Sequence, residues 1–129
     1  MGAFTDNERS YLLEPNHLGR IATVGKDGTP HVVPVGFKCN AELDVIEVGG
    51  TNITKSKKFI DAKRSGRAAI VIDEIVTRDP WKTRGLEIRG RAETDESGER
   101  AVIRIFPERI ISWGIDTTGT GVRNAHSAG

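Results

Sequence analysis

Three lysines and three hydroxyl residues crowd one short run, Val48-Gly49-Gly50-Thr51-Asn52-Ile53-Thr54-Lys55-Ser56-Lys57-Lys58-Phe59. Their chemistry is that of anion binding. Thr54 reads as the N-cap of a short helix, because its hydroxyl can accept an orphan amide of the first turn. Lys55, Lys57 and Lys58 then fall at the positive end of the helix dipole, where each charge is unfavourable by a few tenths of a kcal/mol. A bound anion reverses that sign. It would meet free backbone amides, the hydroxyls of Thr51, Thr54 and Ser56, and the ammonium groups together. Gly49 and Gly50 let the backbone come close to a ligand. The competing reading is a solvated lysine-rich loop, the commoner fate of a charge run. The conflict with the dipole favours a phosphate site.

Other reactive residues point to no second chemistry. His17, His31 and His126 share no metal-ligand spacing with one another or with Cys39, and no metal site is expected; strand alternation turns His31 outward or to a dimer seam, as a structural residue. Cys39, the single cysteine, reads as a small hydrophobe, and it rules out an internal disulfide and a cysteine-rich metal site. No GxSxG elbow supports hydrolysis. Pro30-His31-Val32-Val33-Pro34-Val35-Gly36-Phe37 places two prolines in one strand, so Pro34 belongs at an edge or a bulge. Such a strand can line a groove for a flat ring, or simply blunt aggregation; the residues alone leave both open. Trp113 ends an apolar strand and reads as core or interface. Trp81 lies in a polar stretch, where a large aromatic marks a contact surface.

The elements that must position these residues follow from pattern. The chain has 129 residues, enough for one domain with a modest core. Charged residues at 29% and hydrophobic residues at 36% are those of a soluble globular chain. A net charge of +1 gives no general reason for nucleic-acid or membrane binding. No apolar run approaches a membrane span, and the N-terminus lacks a signal-peptide pattern, so a cytoplasmic protein is expected. Helices are predicted over 6–14 and 55–65, the second closed by Gly66. Strands are predicted over 18–24, 30–38, 43–48, 67–73, 85–93 and 102–113, the last bent at Pro107. Asp27-Gly28 is a strong hairpin turn. Residues 77–84 read as a polar loop. Residues 1–116 read as one domain and 117–129 as a flexible tail. Strands joined by short turns, with two helices only, argue for an antiparallel barrel or sandwich.

The ordered set of segments resembles the pyridoxamine-phosphate-oxidase-like split-barrel superfamily, and more closely its actinobacterial branch that uses the deazaflavin coenzyme F420. Leu18 to Val24 with Asp27 to Val35 is similar to the family's first hairpin. Lys55 to Asp73 is similar to its phosphate-binding segment and following strand. Arg84 to Ala92 is similar to its GxxxxGxA strand, and Ile105 to Gly114 to its last strand. The match spans roughly residues 5 to 116. The resemblance implies an all-β fold with short helices: a six-stranded antiparallel split β-barrel, FMN-binding-protein-like and homodimeric, with cofactor grooves between protomers. It implies that Ser56 and Lys58 hold the cofactor phosphate, flanked by Lys55 and Lys57. It lays Val32, Val33, Pro34 and Val35 along the ring, and Gly49, Gly50 and Thr51 near the ring edge and ribityl chain. It puts Trp81 and Trp113 near the groove, Trp81 reaching the partner's site.

The activity so implied is hydride transfer from F420 to a small organic acceptor, with the cofactor carrying the chemistry and no catalytic side chain assigned. FMN in the same fold is the alternative cofactor. A non-catalytic F420 carrier is the reading from another class.

Overall fold

The computed structural model describes residues 2–116 and 123–128. Helix α1 spans Asp6–Leu13. Thr5 caps it: its hydroxyl accepts from the Glu8 amide at 3.1 Å, and the Glu8 carboxylate accepts from the Thr5 amide at 3.0 Å. Tyr11 and Leu12 turn into the core, and the Tyr11 hydroxyl donates to the Arg84 carbonyl.

Strands β1 (Gly19–Val24) and β2 (Pro30–Val35) form the first hairpin, closed by Asp27-Gly28 with Gly28 at φ +88°. Short strands β3 (Lys38–Asn40) and β4 (Val45–Val48) form the second. A 3-10 turn over Ile53–Lys55 leads into helix α2, Lys57–Ser65, which stops at Gly66 with φ +70°. Strands β5 (Arg67–Arg78), β6 (Trp81–Asp95) and β7 (Val102–Trp113) are long and antiparallel, and β8 (Arg123–Ser127) pairs with β7.

The order β2-β1-β5-β6-β7-β4-β3 carries a geometric consequence. β2 and β3 lie at opposite ends of this path, yet only Gly36 and Phe37 separate them in sequence. Val35 and Lys38 therefore sit within about 11 Å of each other, the reach of three extended residues. The sheet must curl until its two edges meet, as a barrel split between β2 and β3. Its inside is filled by alternate residues of β1, β5, β6 and β7, among them Ile21, Ile70, Ile72, Leu86, Ile88, Ile103, Ile105 and Ile110, all at most 1% exposed.

The antiparallel barrel with two short helices agrees with the sequence-based expectation, but the described residues form eight strands and not six. The predicted 30–38 strand breaks at Gly36-Phe37, because the chain changes edges there. Residues 77–84, expected as a loop, are mostly strand: β5 and β6 pair out to Arg78 and Trp81, around a two-residue Asp79-Pro80 turn. The expected flexible tail is corrected over Arg123–Ser127, which pairs with β7 in antiparallel register. Residues 117–122 lie outside the described residues. Pro34 does lie on an edge strand. Pro107 adjoins a bulge: Arg89 faces Arg109 and Gly90 faces Pro107, leaving Glu108 unpaired in the ladder.

One ionic cluster ties the barrel across three elements. The Arg104 guanidinium donates to Glu47 at 2.7 Å and to Asp95 at 2.6 Å. The Arg104 hydrogen bond holds the Glu47 carboxyl below the usual carboxylate range. The Ser97 hydroxyl, then Arg104, does the same for Asp95. A carboxylate with a depressed folded pKa stabilises above its unfolded value of about 4 and loses that contribution as pH falls. Arg104→Met is therefore expected to lower stability at pH 7, with the deficit shrinking as pH drops through about 4 toward 2. Urea unfolding of both proteins at pH 7 and pH 3 checks this. An equal deficit at both values would assign the loss to packing instead.

Candidate cofactor groove

The lysine-rich run forms a helix start, two residues later than expected. Ser56, not Thr54, is the N-cap of α2: its Oγ accepts from the Phe59 amide at 3.3 Å and donates to the Ile53 carbonyl at 2.5 Å. Thr54 falls inside the 3-10 turn and is exposed. The shift arises because Ile53, 3% exposed, is drawn into the core and tightens the chain just before the helix. Capping by Ser56 leaves the amides of Lys57 and Lys58 as first-turn donors without an intrahelical acceptor.

The lysines divide into two kinds. Lys57 Nζ lies 3.4 Å from Asp61 Oδ2, one turn on, and Arg64 donates to Asp61 Oδ1 at 2.9 Å. Asp61 is 2% exposed. Burial raises its carboxyl, but the Arg64 hydrogen bond and the Lys57 charge outweigh that and hold it below the usual range. The dipole conflict at Lys57 is thus partly answered within the helix. Lys55 and Lys58 have no ion-pair partner among the described residues.

Helix α2 packs against β1, and Arg64 also hydrogen-bonds the Val24 carbonyl at the end of that strand. At the other end of the helix, Lys57 reaches the β1–β2 turn. Lys57, Lys26, Asp27, Thr29 and His31 line a depression of about 710 Å³ between them. The register pairs Thr23 with His31 and Ile21 with Val33, so His31 and Val33 share the barrel's inner face. They stay accessible because β2 has no strand on its other side. Val33 is 39% exposed there, and Val32 is 65% exposed on the outer face beside the exposed Pro34. Val35 is buried in the core, so it supports the strand from behind and does not offer a face to a ring.

Gly49 and Gly50 follow β4 and are exposed. A methyl group on Gly50 would meet open space, so no crowding within the chain demands glycine there. Gly50, Thr51 and Thr54 share a smaller depression of about 320 Å³ with Glu99, Arg100 and Ala101.

The two tryptophans are not brought to this end. Val48 pairs with Ile103, whereas Trp113 stands ten residues along β7, about 33 Å at strand rise. Trp81, 56% exposed, lies at the β5–β6 tip, further out in the same direction. That opposite end also gathers Glu14, His17 and Glu74. Arg84 already supplies the cation there, 2.8 Å from Glu14 and 2.9 Å from Glu74. Lys26 and Asp61 escaped the sequence reading, and His31, expected to point outward or to a dimer seam, lies instead on the inner face, because its partner Thr23 is buried there. The Asp27-Gly28 turn foretold the hairpin, but not which helix end would meet it.

An edge strand beside a basic helix start can hold a flat ring with a phosphate attached. The sequence pattern of the family described as pyridoxamine 5'-phosphate oxidase matches residues 5–126. A 5a,11a-dehydrotetracycline/5a,11a-dehydrooxytetracycline reductase from Streptomyces rimosus subsp. rimosus is 38% identical over 132 residues, covering 94% of this chain and 92% of that protein. The crystal structure of a conserved hypothetical protein from Mycobacterium tuberculosis superposes with a TM-score of 0.70 at 21% identity, over 92% of this chain and 93% of that one. A structure described as an F420 reductase superposes with a TM-score of 0.63 at 23% identity, over 83% and 98%.

Proposed function

The chain belongs to the pyridoxamine 5'-phosphate oxidase family, and from that premise we propose that it is an oxidoreductase using the deazaflavin coenzyme F420 to reduce a small organic acceptor. One observation carries the reading. His31 of the edge strand β2 and Lys57 at the start of α2 line the same depression, with the exposed Val32 and Val33 following His31 on the strand. A flat ring joined to a phosphate needs a strand face and a basic helix start side by side. FMN shares both features, which makes it the cofactor to test against.

The bound coenzyme supplies the hydride. The chain's own residues bind and orient. Lys55, Lys58 and the amides of Lys57 and Lys58 hold the phosphate, while Ser56 braces the cap with its hydroxyl already engaged. Val33 offers apolar surface to the ring, while Val32 and Pro34, on the opposite face of β2, border the groove where a second copy packs. No side chain is assigned a proton transfer, and water serves as the proton source. The name of the Streptomyces relative suggests the acceptor class, a tetracycline-like polycyclic molecule able to stack on the open ring face.

A homodimer is part of the proposal. Ala22, Val32 and Ala69 align across the outer face of β2, β1 and β5, as do Pro34 and Val71 with Arg20 between them. A second copy laid there would cover this apolar face. Trp81 and Trp113 lie too far from the lysines of their own chain, so they would serve the partner's groove. Sedimentation equilibrium is expected to give twice the chain mass; a monomer would remove both tryptophans from the site. We place the work of the enzyme in the cytoplasm. No helix among the described residues is long and apolar enough to cross a membrane.

The deciding test is separate titration with oxidised F420 and with FMN, followed by tryptophan and cofactor fluorescence. Saturable binding of F420 alone is expected, then turnover of the reduced form with polycyclic acceptors. Binding of FMN alone would transfer the protein to flavin chemistry. Binding of F420 without turnover of any acceptor would make it a carrier.

A further inference from the structure

We propose that the β1–β2 turn is the second half of the anion site, with Lys26 and His31 gripping the cofactor's phosphoryl group from the side opposite the α2 start. This rests on the cofactor reading above and extends it to residues that neither the lysine-rich run nor the family pattern singles out. Lys26 alone is an ordinary turn residue, and His31 an ordinary strand residue. The fold changes both, because the start of α2 is carried against the turn and Lys57 joins them around one depression of about 710 Å³.

Three features aim this depression at an anion. First, its charges do not cancel. Lys26 and Lys57 line it with Asp27 as the lone acid, and the buried Asp61 behind Lys57 is matched by Arg64. Second, Asp27 is committed elsewhere: its Oδ1 accepts from the Thr29 amide at 3.0 Å, and that bond holds its carboxyl below the usual range. Third, the imidazole is seated by the turn itself. A methyl group on Gly25 would stand 3.1 Å from His31 Nε2, so glycine there leaves the ring its place. A neutral imidazole keeps one N–H donor, so it can serve a phosphoryl oxygen without being charged. His31 also directly precedes Val32 and Val33 on β2, so the strand that carries the ring surface would carry a phosphate contact as well. Asp61 is the positioning residue: fixed in the protein interior, it directs the Lys57 ammonium.

The experiment measures two affinities for each protein, one for F420 and one for its dephosphorylated deazaflavin–ribityl core. Wild type, Lys26→Ala, His31→Ala and His31→Gln are compared, with thermal midpoints confirming folding. Lys26→Ala and His31→Ala are each expected to lose about 5–20-fold for F420 and nothing for the core, the scale of one charge-assisted or neutral hydrogen bond. His31→Gln, which restores a donor, is expected to recover most of the loss. Unchanged discrimination in both alanine variants, with F420 still bound by wild type, would overturn the proposal and leave the cofactor reading standing. If wild type binds neither F420 nor FMN, the cofactor reading fails. Inorganic pyrophosphate then becomes the probe: calorimetric binding that falls in Lys26→Ala upholds the two-sided anion site, and equal binding overturns it.

Discussion

Gly90→Ala is expected to lower folding stability by about 3 kcal/mol, the upper range for overpacking. Gly90 lies on β6 opposite Pro107, beside the bulge at Glu108. An added Cβ would stand 2.0 Å from the Phe106 carbonyl oxygen and 2.8 Å from its carbonyl carbon. Both are backbone atoms, so no side-chain rotation relieves the clash. β7 must move away from β6, in the most extensive strand pairing of the barrel. For a chain of this size the thermal midpoint should fall by roughly 10 °C. Gly50→Ala is the control, since its methyl group would meet open space; it should stay within about 0.5 kcal/mol of wild type. Urea and thermal unfolding measure both. A Gly90 variant as stable as the Gly50 variant would show that the bulge absorbs the methyl group without separating the strands.

The largest functional effect is expected from Lys55→Ala combined with Lys58→Ala. Neither ammonium has an ion-pair partner among the described residues, so removing both should leave the fold intact. Lys57 is kept, because it is bound to Asp61 and its loss would mix folding with binding. Each charged contact to a phosphate is worth about 1–3 kcal/mol, so the double variant should lose about 2–5 kcal/mol of affinity for F420. That is a drop of roughly 30-fold to several thousand-fold. Binding of the dephosphorylated core should not change, and the loss should be smaller at high salt, where wild type is already weakened. An undiminished affinity would place the phosphate away from the start of α2.

Much of the fold was legible because its strands alternate. Period-2 burial in β1 and β6 marks an inside and an outside before any partner is known. Pro34 announced an edge, Pro107 a bulge and Gly66 a helix stop, each through a backbone constraint local to one residue. The division of 30–38 into β2 and β3 was not legible. Nothing in Gly36-Phe37 says that the chain crosses there from one edge of the sheet to the other. β8 was hidden for a similar reason: Arg123 to Ser127 is polar, and pairing with β7 supplies what its composition does not.

The site divides along the same line. An anion preference was readable from lysines placed against a helix dipole, since charge and dipole act within one turn. So were an apolar strand interrupted by proline and a glycine pair with room beside it. The cap at Ser56 was decided by the burial of Ile53, and the burial of Asp61 beneath Lys57 by the packing of α2. Which turn faces the helix start, and which end of the barrel holds the tryptophans, depended on contacts between residues far apart in sequence. Local charge, backbone freedom and hydrophobic period act over a few residues, and the sequence determined them alone. Closing the barrel brings distant segments together at the cost of loop entropy, and only the tertiary structure decided which of them meet.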